Sequence, residues 1–151
     1  MALSAGQIPL VANVPNGGVA LIAASANTVT IGVNTNGATI YTAGTKGGRV
    51  VSLSGVTDDT VTVNVHIYIL RSATVIPLGL VNVALSSGNT FAARFNVDFL
   101  DGVNLLGLPV DNTGKRYIPL MPNDVLRCGA LANLTAAKTC WVQGQGSDYQ
   151  A

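Results

Sequence analysis

The sequence predicts an all-β protein: an antiparallel β-sandwich of jelly-roll-like form with an extended N-terminal arm. Three observations predict it. Short runs rich in Val, Ile and Thr alternate apolar with polar residues at period 2. Gly, Asn and Asp punctuate those runs at turn positions. No stretch holds the 3.6-residue periodicity of an amphipathic helix. Many short strands joined by Gly-rich turns pack as sandwiches or jelly rolls.

Residues 1–18 carry Pro9 and Pro15 and end in Asn16-Gly17-Gly18, so they read as an arm, with residues 19–151 as the sandwich domain. The segment IPLVANV is too apolar to lie free in water. The arm is therefore expected on a neighbouring subunit, with Ile8, Pro9, Leu10 and Val11 as contact residues. Strands are expected over Val19–Ala23, Thr28–Val33 and Thr39–Ala43. Asn36-Gly37 reads as the hairpin turn before the third, because both residues tolerate positive φ. Arg49–Leu53, Thr60–Leu70 and Val75–Leu85 follow, then a loop over Ser86–Thr90 and a strand over Phe91–Phe99. Leu100–Leu108 is the least strand-like stretch and reads as a bulged corner or a helical turn. Asp111–Lys115 is a loop before the strand Arg116–Leu120, and Pro122 suits the second position of a type I turn. Asp124–Leu131 and Lys138–Gln143 read as a hairpin centred near Leu134, with Cys128 and Cys140 facing the core and close across the strands.

Charge narrows the function. Of 151 residues, 48% are apolar and only 10% charged; seven Asp, no Glu and eight Lys plus Arg give a net charge of +1. That balance opposes an electrostatic grip on nucleic acid and a polybasic membrane tether. No apolar run reaches the roughly 18 residues of a membrane span. The N-terminus lacks the positive region of a signal peptide, so folding in a reducing cytoplasm and free thiols are expected. A surface so poor in charge is suited to cover by other chains.

No residue set names a reaction. His66 is the lone histidine, and in TVTVNVHIYIL the apolar row Val61, Val63, Val65, Ile67, Ile69 claims the core face. His66 and Tyr68 then fall on the outer or interfacial face, where an interface role is expected of both. Asp58 and Asp59 are adjacent and project differently, which suits turn capping better than paired-carboxylate hydrolysis. One His and no Glu cannot build a jelly-roll metal set, and the two Cys lack zinc spacing. There is no GxSxG elbow and no phosphate-binding loop. No cofactor, metal or catalytic residue is expected, and no enzyme.

Two stretches carry a resemblance. IYTAGTKGGRVVSLSGVTDDTVTVNVHIYI has the form of a hairpin with TAG..G.RV before a long Thr/Val strand. RYIPLMPNDVLRCGALANLTAAKTCWVQGQGSDY follows the form LPL.P.D.L......L.AAKT..V...G.DY. Both resemble small all-β virion proteins of tailed bacteriophages, in particular head decoration (cement) proteins, across Ile40–Tyr149. The resemblance implies a role on the outer capsid surface of the virion, made in the bacterial host cytoplasm. Its implied partners are the major capsid protein and further copies of itself, a trimer being favoured, with neither nucleic acid nor membrane. The alternatives are a phage tail, fibre or adaptor component, a carbohydrate-binding β-sandwich and an enzyme on a jelly roll.

Overall fold

The computed structural model describes residues 11–23, 27–32, 36–87, 97–102, 104, 105 and 107–150. In chain order the strands are β1 (Val11–Ala23), β2 (Ala38–Thr42), β3 (Gly48–Thr57), β4 (Val63–Arg71) and β5 (Thr74–Val83). They continue as β6 (Val97–Asp98), β7 (Ile118–Leu120), β8 (Val125–Ala130) and β9 (Thr139–Gln150). No helix occurs among the described residues. The first sheet runs β1-β9-β3-β6, with β7 also on β3; the second runs β2-β8-β4-β5. Every strand pair is antiparallel.

The two sheets face each other across one core, as a β-sandwich. Alternate residues point inward: Ile22, Leu53 and Val142 from the first sheet meet Val65, Ile67 and Leu126 from the second, all fully buried. The loop after β6 adds Phe99 and Leu105 to this core. Phe99 is tied down by its N–H, which donates to Leu53 O at 2.8 Å. Its ring occupies the place of a side chain at position 55: a Cβ on Gly55 would stand 2.7 Å from Phe99 Cζ. Glycine interrupts an otherwise Val-rich strand there because an aromatic ring lies on its backbone.

Several expectations are corrected. β1 begins at Val11 rather than Val19, so residues 11–18 belong to the first sheet and not to an arm; residues 1–10 lie outside the described residues. The apolar pattern of this stretch serves a ladder with β9, reaching from Val11↔Gln150 to Ala23↔Thr139. Of Thr28–Val33, only a parallel bridge from Thr28 to Ala130 is seen, and Val33 lies outside the described residues. Gly37 does not take positive φ, as the second position of the expected tight hairpin turn requires. The two-residue turn with both φ positive is instead Ser72-Ala73, at 46° and 70°, joining β4 to β5. In MPND the N–H of Asp124 donates to Met121 O, but φ at Asn123 is 62°, which makes the turn type II. β8 and β9 form no hairpin, because they lie in different sheets. Val61 is exposed, since β4 begins at Val63. Residues 91–96 of the strand expected over Phe91–Phe99 lie outside the described residues.

Candidate functional site

Alternation puts His66 and Tyr68 on the outer face of the second sheet, and both stand outside the central core cluster. They are not open to a partner, however: each is only 1% exposed. The chain covers them itself. Gly129 is the register partner of His66 on β8, and Val29 packs where its Cβ would be. Residues 27–29 are held there by Val29 N–H donating to Ala130 O and Ala130 N–H donating to Asn27 O, at 2.8 and 3.1 Å. The Tyr68 hydroxyl lies against the backbone of Gly37, and the two rings stack with centroids 5.1 Å apart. Of the expected interface residues, then, His66 and Tyr68 are internal. Val11 is in β1, and Ile8, Pro9 and Leu10 lie outside the described residues.

Neither ring nitrogen of His66 has a hydrogen-bond partner. Burial lowers its pKa below the ordinary imidazole value. The unfolded chain therefore takes up the proton first, and this site loses stability as pH falls below about 6.5. Replacing His66 with Leu removes the orphaned polar atoms. Stability is expected to rise by about 1 kcal/mol at pH 7, and by more at pH 5, in urea unfolding followed by fluorescence. An unchanged midpoint at both pH values would show that the imidazole is satisfied.

Asp58 and Asp59 do more than cap a local turn. Asp59 is fully buried, and its carboxylate accepts from Thr135 N–H at 2.8 Å, Thr135 Oγ1 at 2.5 Å and Val61 N–H at 3.3 Å. Asp58 Oδ1 accepts from Thr139 N–H at 2.6 Å. Together they clamp the connection from β8 to β9 against the loop from β3 to β4. The Asp59 carboxylate is thus turned inward on both oxygens, while Asp58, half-buried, is held through Oδ1. A second carboxylate, Asp124, is buried under a two-pronged pair with Arg71, at 2.8 and 2.7 Å. No cluster of three or more His, Cys, Asp or Glu that could hold a metal ion occurs among the described residues.

Cys128 and Cys140 are both free and buried, facing the core as alternation predicts. They face it from opposite sheets rather than from neighbouring strands. Burial pushes the Cys140 thiol up to about 12 and raises the Cys128 thiol further, so neither supplies a nucleophile.

What remains is a surface. On the outer face of the first sheet, register lines up three rows across β1, β9 and β3: Leu21–Trp141–Val56, Val19–Gln143–Ser54 and Gly17–Gln145–Ser52. None of these nine residues is charged. Val19 is 60% exposed, Leu21 49% and Trp141 37%. Trp141 lies opposite inward-facing Cys140, as the alternation of β9 requires. Beside the third row runs an open trough of about 480 Å³ bordered by Gly17 and Gln145, while Gly18 and Gly144 beneath it turn toward Ile40 and the core. The face thus has an apolar end, and its middle row continues from Gln143 through Ser54 to the exposed Asp98 on β6. The period-2 pattern of β9 alone foretells the outward Trp141. The rows need the pairing of β1 with β9, which no local signal carries. Comparison with protein-family models, with curated proteins and with solved structures finds no match to this chain.

Proposed function

We propose that the protein is a structural virion component of a tailed bacteriophage, a head decoration (cement) protein that binds the major capsid protein on the outside of the head. The observation that carries the reading is the apolar end of the outer face of the first sheet, where Leu21, Trp141 and Val19 are exposed. Such a face suits assembly with other chains rather than turnover of a small substrate. The resemblance adds the phage head, the outer capsid surface and a jelly-roll-like winding to that assembly role. In this reading the capsid contact belongs to the N-terminal segment, with Ile8, Pro9 and Leu10 leading into Val11 at the end of the sheet remote from Trp141. Decoration works by mass action: a protein that binds the expanded lattice better than the immature one stabilises the expanded state.

The test is co-sedimentation with expanded and unexpanded phage heads. The full chain is expected to saturate expanded heads in hundreds of copies, and deletion of residues 2–10, which spares β1, is expected to lower occupancy at least tenfold. Unchanged occupancy would remove the N-terminal segment from the contact. A handful of copies, confined to the tail, would favour the tail or adaptor alternative. The resemblance favours a trimer.

A further inference from the structure

β2 accompanies β8 only as far as Cys128, where it pairs with Ala38. The next place beside β8 is taken by residues 27–29, through the parallel bridge from Thr28 to Ala130. This strap lies over the outer face of the second sheet. Val29 sits on the bare backbone of Gly129, and His66 is the neighbour of Gly129 on β4. Val29 is buried but stands outside the core cluster. The strap is tied by its two backbone bonds to Ala130 and by the Thr28 hydroxyl, which lies 2.5 Å from Asn133 Oδ1. Asn27 Oδ1 also accepts from Ala23 N–H at 3.3 Å. A segment anchored in this way opens at a lower free-energy cost than the ladders beneath it.

We propose that residues 27–29 form an acid-released strap: protonation of His66 lifts them from the second sheet while the rest of the sandwich stays folded. The groups around the imidazole carry the argument. On its own strand it stacks on Tyr68. Its register partner on β5 is Leu80, and on β8 it is Gly129, with Arg127 next along that face beside Tyr68. The strap adds Asn27, Thr28 and Val29, and no charged residue occurs between Ala23 and Ala38 in the chain. The titratable or charged neighbours are thus Tyr68 and Arg127, a neutral phenol and a cation, with no carboxylate among them. An imidazolium under the strap would be buried without a counter-ion, which is costly. Both ring nitrogens lack a hydrogen-bond partner, so the closed strap offers the proton nothing. The open form binds it in water at the ordinary imidazole pKa. Opening is therefore favoured as pH falls below about 6.5. It uncovers His66, Tyr68 and the N–H and C=O of Ala130 at the end of β8. The device is built into this chain and does not rest on the capsid reading.

The experiment is amide hydrogen exchange on the full chain, corrected for the intrinsic effect of pH. The reporters are the N–H groups of Val29 and Ala130, which make the strap bonds, and that of Phe99, which is bonded to Leu53 O across the first sheet. Between pH 8 and pH 5, above the carboxylate range, protection at Val29 and Ala130 is expected to fall about 30-fold while Phe99 keeps its own. His66→Leu is expected to abolish that fall. Gly129→Ala puts a methyl where Val29 sits, so it is expected to release the strap already at pH 8 and to return His66 to an ordinary titration near pH 6.5 by NMR. Protection at Val29 and Ala130 that does not change with pH would overturn the device. So would a loss shared equally by Phe99, which would mean global unfolding, or a pH response that survives in His66→Leu. A Gly129→Ala variant whose His66 still resists protonation would show that the strap is not what excludes the proton.

Discussion

Replacing Phe99 with alanine is expected to cost about 4 kcal/mol of folding stability. The ring is fully buried and joins the loop after β6 to the core. It also covers the bare backbone of Gly55, where no side chain can fill the space it leaves. Phe99→Leu keeps most of the volume and is expected to cost about 1.5 kcal/mol. The pairing with Gly55 gives a sharper test. In the wild-type background Gly55→Ala is destabilising, because its methyl meets the ring. In the Phe99→Ala background the same methyl enters the void and offsets part of the loss. Denaturant unfolding of the four proteins in this cycle measures the coupling, and strictly additive costs would mean that ring and glycine do not share the space.

Replacing Asp59 with alanine is expected to cost about 3 kcal/mol, from the loss of several hydrogen bonds to a charged acceptor. The main partners are the N–H and hydroxyl of Thr135. Burial pushes this carboxyl's pKa up, but the hydrogen bonds from Thr135, Val61 and Thr60 outweigh it and hold the pKa below the ordinary aspartate value. A carboxyl with a lowered folded pKa contributes stability above its unfolded pKa. That contribution disappears as pH falls below about 4. Acid unfolding of the wild type should therefore include a step that is diminished in Asp59→Asn. Asp124, held low by Arg71 and the Met121 N–H against burial, adds to the same acid limb. An acid transition of identical depth in the Asn variant would show that the clamp does not titrate in this range.

The fold class was legible because period-2 alternation is local: each of β3, β4 and β8 declares its inward face within a few residues. Topology was less so. Asn36-Gly37 carries the strongest hairpin signal in the chain, yet Gly37 does not take the positive φ of that turn and serves instead for close approach to the Tyr68 hydroxyl. The real two-residue turn, Ser72-Ala73, has neither Gly nor Asn and is imposed by the ladder on either side. Cys128 and Cys140 looked like hairpin neighbours because only eleven residues separate them; the clamp at Asp58 and Asp59 instead turns that connection from one sheet to the other. The candidate surface was half legible. Trp141 follows from alternation, but its neighbours Leu21 and Val56 come from strands far off in the chain. His66 followed the alternation rule and still misled, because period 2 assigns a face and says nothing about what lies over it.

The pairing of β1 with β9 sets an order of events. Val11–Ala23 and its ladder partner, Thr139–Gln150, are separated by more than a hundred residues of chain. The β4–β5 hairpin closes through a two-residue turn, early and locally. The first sheet, by contrast, must wait for a strand more than a hundred residues downstream, and long-range closure of this kind is slow. Leu21, Trp141 and Val56 therefore come together only when the last strand is in place. That face is thus a product of long-range closure and of no local segment.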